Sequence, residues 1–74
     1  MATLNEQIAG TVRRLADERG VSLAHLIEET GIPERTFRRR MQGKTAWTTD
    51  ELDAIAGCLD VKASTLIRGK PHAA

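Results

Sequence analysis

Gly31-Ile32-Pro33 joins two apolar stripes of helical spacing, and this short break constrains the chain more than any other feature. Glycine takes the left-handed conformation that ends a helix without a Cβ penalty. Pro33 pushes Ile32 out of the helical region and itself suits a first helical turn. Upstream, Leu23, Leu26 and Ile27 form one stripe; downstream, Phe37 and Met41 form another. So tight a connection forces a large angle between the two helices. The pattern predicts a helix that starts after an N-cap at Ser22 and ends at Gly31. Another should run from about Pro33 to Gln42 and stop at Gly43. Val21 and Leu26 stand at the spacing of a hydrophobic staple across the first of these starts.

The flanking segments also read as helices. Leu4, Ile8, Val12 and Leu15 step by three or four, with Ala16 widening the stripe, which predicts a helix over residues 4–19 closed by Gly20. Lys44 to Trp47 reads as a loop. Thr48 and Glu51 fit a capping box, with Trp47 and Leu52 stapled across it. Leu52, Ile55, Ala56 and Leu59 then give a fourth stripe, with Asp50, Glu51 and Asp53 near its positive end. A last short helix is expected over Ala63–Arg68, with Leu66 and Ile67 inward and Gly69 as its stop. No stretch alternates like a strand. The expected fold class is all-α: a compact bundle of five short helices with a helix-turn-helix at helices two and three. At 74 residues the chain holds one small core. One domain over residues 1–69 and a flexible tail over 70–74 are expected.

Several classes of function fall away. One cysteine excludes a disulfide framework and a Cys-based zinc site. No apolar run approaches the roughly 18 residues of a membrane span, and no signal peptide opens the chain; a soluble cytoplasmic protein is expected. No Ser/His/Asp set, metal cluster, phosphate loop or carboxylate pair has supporting context. An enzyme, a cofactor, a metal and a small-molecule substrate are therefore not expected.

The charge is unevenly placed. The net charge is +1, yet residues 33–44 carry Arg35, Arg38, Arg39, Arg40 and Lys44 against Glu34 alone, net +4. The segments before and after it are net −2 and −1. Such local concentration points to a polyanion-binding face. On a wheel of about 100° per residue, Phe37 and Met41 share one side of the third helix. Arg35 and Arg39 lie opposite, joined by Gln42 and flanked by Thr36 and Arg38. A charged outer face is usually only solvated. Here the charges share one sign, which costs stability through pairs such as Arg35–Arg39, and they sit on the second helix of a helix-turn-helix. Guanidinium forks match guanine in the major groove, and they also match phosphate.

Residues Val21 to Lys44, together with Asp50–Ala56 and Leu59-Asp60-Val61, resemble the phage Cro/repressor type of helix-turn-helix domain (XRE-like, lambda repressor-like). The likeness spans residues 4–69. It implies that Gly31 is the turn glycine and that Leu26, Ile32 and Phe37 are core. It implies base reading from Glu34, Arg35 and Arg39 and phosphate contact from Gln42 and Lys44. Three positions depart from the family pattern. Ile27 stands where a small residue is usual, so the approach of helices two and three should differ. Arg40 replaces an apolar core residue and is expected to snorkel outward along the core edge, with Met41 taking its place. Leu23 replaces a polar phosphate-contacting residue.

The expected base contacts are thus Glu34, Arg35, Arg38 and Arg39, and the expected backbone contacts Ser22, Thr36, Gln42, Lys44 and Thr45. Glu34 has two readings: a helix-start residue paired with Arg38, or an acceptor for cytosine N4. Trp47 reads as staple more than as a stacking ring, His25 as an exposed spectator, and Thr48 as a cap. Cys58 reads as a small buried or half-buried side chain more than as a nucleophile, and His72 as inert. Arg13 and Arg14 read either as flanking backbone contacts or as solvated. The leading function is a sequence-specific double-stranded DNA-binding transcriptional regulator, a phage-encoded Cro-like protein or minimal repressor. It would act as a homodimer, or as a dimer only on DNA, at a near-palindromic operator, with Leu66, Ile67 and Cys58 as candidate dimer contacts. The alternatives are an antitoxin or excision-control factor on the same fold, or a module docking its basic helix on an acidic partner.

Overall fold

Five helices and no strand make up residues 3–68, the part of the chain that the computed structural model describes. They are α1 (Leu4–Glu18), α2 (Leu23–Thr30), α3 (Glu34–Met41), α4 (Thr49–Leu59) and α5 (Ala63–Arg68). Gly69 and the 70–74 tail, with Pro71 and His72, lie outside the described residues. No described helix is long and apolar enough to cross a membrane.

Three of the five starts, those of α1, α2 and α4, carry a side-chain cap. Ser22 Oγ accepts from the His25 N–H at 3.0 Å, which opens α2. Pro33 stands at the N-cap of α3, one place before the helix proper. Thr48 and Glu51 form the expected capping box at α4. An equivalent box at α1 joins Thr3 and Glu6, a Thr-x-x-Glu start that the apolar spacing had not marked. The stops of α1, α3 and α4 share one form. Val21, Lys44 and Val61 each donate a backbone N–H five residues back, to Ala16, Arg39 and Ala56. The residue between, Gly20, Gly43 or Asp60, takes a positive φ. Gly43 is the most constrained of them. Its φ is +75°, and a Cβ there would meet Glu6 Cγ of α1 at 2.5 Å.

Every helix sends at least one fully buried side chain inward: Val12, Leu26, Phe37, Ile55 with Leu59, and Leu66. α1 packs on α3, α4 and α5, while α4 packs on α2 and α5. Two apolar assignments are corrected. Leu4 is 55% exposed and Ile67 45% exposed. Leu4 sits in the first turn, one turn before Ile8, the first buried residue of α1, and Ile67, adjacent to the inward Leu66, is turned about 100° away from it. Leu66 is wholly within the chain's own core, so it has no surface left for a dimer contact. Arg19 caps another element from a distance: its Nε donates to the carbonyl of Leu59, the last residue of α4, at 2.5 Å. A cation there also complements the negative end of that helix.

Candidate nucleic-acid interface

Phe37 and Met41 anchor α3, at 1% and 7% exposure. Trp47, in the loop after α3, packs edge-on against Phe37 with ring centroids 5.6 Å apart and planes at 84°. That contact is worth about 0.5–1.5 kcal/mol beyond the area it buries, and it ties the loop to α3. Because α3 is fixed on this side, its opposite side must face water. Arg35, Arg38 and Arg39 are all exposed, as are Glu34, Gln42 and Lys44. Thr36 is half-buried on the flank.

The four arginines of α3 divide by partner. Arg38 Nε donates to Glu34 Oε2 at 2.9 Å, one turn away, with both side chains about two-thirds exposed. The pairing reading of Glu34 is therefore realised in this structure. The side chains of Arg35, Arg39 and Lys44 make no hydrogen bond or ion pair among the described residues. Arg40 was expected to snorkel outward, and it does not. Its Nε donates to Glu51 Oε1 at 2.8 Å and its Nη2 to Glu51 Oε2 at 3.3 Å, while its Nη1 donates to Thr45 Oγ1 at 2.7 Å. The fork meets a carboxylate at the start of α4, so turning outward would leave that acid alone in a half-covered site. Burial pushes the Glu51 carboxyl up, but bonds from Arg40 and from the Thr48 N–H outweigh it and hold it below the usual range.

Apart from Thr36 on α3, the backbone-contact candidates lie on two segments. Ser22 is exposed at the start of α2, and its hydroxyl, already accepting from His25, keeps a hydrogen to donate. Gln42, Lys44 and Thr45 follow α3. Thr45 is half-buried and accepts from Arg40, again with its own hydrogen free to donate. A cleft of about 230 Å³ opens between α1, α2 and α3. Ile27 and Leu23 line it from α2, Arg13 from α1, Arg38 from α3 and Gln42 from just past the end of α3. Ile27 itself is half-buried at this cleft.

The helix-turn-helix, its glycine turn and the cationic outer face of α3 are thus assembled in one chain. A family model for the Cro/C1-type HTH DNA-binding domain matches residues 11–71. The chain belongs to that family. Neither the comparison with curated proteins nor that with solved structures finds a match. As a Cro/C1-type domain it is DNA-binding in kind, and the region matched contains α2, α3 and α4 entire.

The remaining polar residues fall into place around the Cro/C1-type core. His25 is exposed and lies 3.8 Å from Glu29. Arg14 pairs with Glu18 at 3.1 Å. Cys58 is half-buried, and burial, with the charge of Glu29, raises its pKa. No cluster of metal-binding side chains occurs among the described residues. Sequence reasoning missed the roles of Glu51 and Thr45 as partners of Arg40. The available signal was a cation at a normally apolar position, followed by an acid in the first turn of the next helix.

Proposed function

We propose that the protein is a sequence-specific regulator of transcription that reads double-stranded DNA with α3 in the major groove. The observation that carries this reading is the pair Arg35 and Arg39. They are exposed, free of partners among the described residues, and set opposite the buried Phe37 and Met41. A charged side chain with an internal partner must break that bond before it reads a base; these two need not. Both forks suit guanine O6 and N7. Glu34 and Arg38 would join them at base edges. Ser22, Thr36, Gln42, Lys44 and Thr45 would hold the sugar-phosphate backbone, which sets register and carries no sequence information.

A domain this small covers little DNA. Two copies on a near-palindromic operator would supply the missing affinity and selectivity, either as a free homodimer or as monomers that meet on DNA. Exposed Ile67 and half-buried Cys58 are the candidate contacts that keep some surface. By resemblance, the reading extends to a phage-encoded Cro-like protein or minimal repressor acting in the bacterial cytoplasm.

Selection of duplexes from a random pool tests this directly. Enriched duplexes should carry guanines in a repeated half-site, and the spacing reports the dimer geometry. Arg39→Ala should cost about 1–3 kcal/mol on the selected site and relax preference at one base pair. Failure to enrich any sequence at low salt would reject the reading.

A further inference from the structure

Arg39 and Arg40 are adjacent in the chain and opposite in placement. Arg39 is exposed without a partner among the described residues. Arg40 faces α4, and all three of its guanidinium nitrogens donate to Glu51 or Thr45. The Arg40 and Glu51 side chains keep only 18% and 15% of their exposure. Glu51 is itself fixed, because the oxygen that takes Arg40 Nε also accepts the Thr48 N–H at 2.9 Å. A two-pronged charge-assisted contact of this kind is among the stronger polar contacts available to arginine.

The partner surface of a DNA reader is lined with phosphates whatever the sequence. Each cation that reaches one raises affinity for every duplex alike. Arg40 stands within a hydrogen bond of Thr45, on the loop that carries Lys44. Released, it would have a phosphate within reach of the same loop. We propose that Glu51 is a positioning residue for selectivity: it withholds Arg40 from DNA and so limits the sequence-blind part of binding. The inference rests on the DNA-reading function proposed above.

Glu51→Gln tests it, because glutamine preserves the capping-box acceptor but has no charge to hold the guanidinium. Affinity for a random-sequence duplex is measured against salt by fluorescence anisotropy. The log–log slope should steepen by about 0.9, one added phosphate contact, and the preference for a selected site over random DNA should fall. A merely structural Glu51 would lower thermal stability and leave the slope where it was, which would overturn the proposal. The double variant Arg40→Leu with Glu51→Gln tests the premise that Arg40 is kept off the DNA, even where the single variant folds poorly, since replacing a covered ion pair by neutral side chains is often tolerated. Its slope should equal that of the unaltered protein. A slope shallower by about 0.9 would mean that Arg40 already touches phosphate, and would also overturn the proposal. An unaltered protein that ignored duplexes at low salt would sink the DNA reading itself, a separate result that leaves no slope to compare.

Discussion

Two arginine–glutamate pairs leave the same helix at nearly the same length, 2.9 Å for Arg38–Glu34 and 2.8 Å for Arg40–Glu51. The first joins neighbours one turn apart, with side chains 67% and 63% exposed. The second crosses from α3 to α4, with side chains 18% and 15% exposed. In water the attraction is screened, and the local pair fixes nothing that the helix has not already fixed. At the junction the same chemistry acts where water is mostly excluded, and it closes the loop that carries Lys44 and Thr45. Distance alone therefore says little about what an ion pair does. Where its partner is anchored decides whether an arginine of α3 remains available to a ligand.

The comparison presumes that α3 is seated, and Phe37→Ala is the strongest way to break it. Emptying a site at 1% exposure should cost about 3–5 kcal/mol. Both pairs would lose their frame together. Urea unfolding followed by Trp47 fluorescence reports it, since the two rings are in contact. A variant as stable as the parent would mean that α3 is anchored elsewhere.

Glu51→Ala isolates the covered pair. It removes the partner of Arg40 and half of a capping box, and should cost about 1–3 kcal/mol, between the values for exposed and fully buried pairs. The loss should depend on pH in a defined direction. The carboxyl lies below its usual range in the folded protein, because the Arg40 and Thr48 bonds outweigh the opposing effect of burial. A depressed carboxyl stabilises the fold above its unfolded value of about 4.3, and that contribution fades as pH falls through the lower folded value. The stability gap between parent and variant should therefore be full at pH 6 and shrink below about pH 4. A gap that stayed constant to pH 2 would show that lost packing, not charge, was responsible.

The fold was legible because its signals are local. Apolar spacing, Ser22, Gly31, Pro33 and the Thr48–Glu51 box each act within a turn or two, and the five helices lie where they indicate. The outer face of α3 was legible for the same reason, since a wheel follows once Phe37 is known to be inside. What escaped was long-range or terminal. The Arg19 bond to Leu59 spans 40 residues. The Arg40 clamp depends on how the loop brings α4 back. Leu4 and Ile67 carry the right residue type and spacing, yet the fold covers only about half of each. Periodicity reports which side of a helix is apolar, but not how far along that side the core extends.

The smallest expected effect belongs to the exposed pair, and its smallness is the point. Glu34→Gln removes a charge-assisted bond from a site about two-thirds in water, together with a favourable charge in the first turn of α3. Surface pairs contribute about 0–1 kcal/mol and the first-turn charge a few tenths. Stability should fall by under about 0.5 kcal/mol, and 1 M salt should erase much of the difference. A loss above about 1 kcal/mol would make this pair structural and remove the contrast with Arg40–Glu51. The DNA readout is independent of that result. A carboxylate can only accept, whereas the glutamine amide both accepts and donates. If Glu34 reaches a base edge, the duplexes selected by the variant should therefore change at one position, away from the cytosine that a carboxylate favours, and stay the same elsewhere. An identical profile would assign Glu34 to Arg38 alone and leave base reading to Arg35 and Arg39.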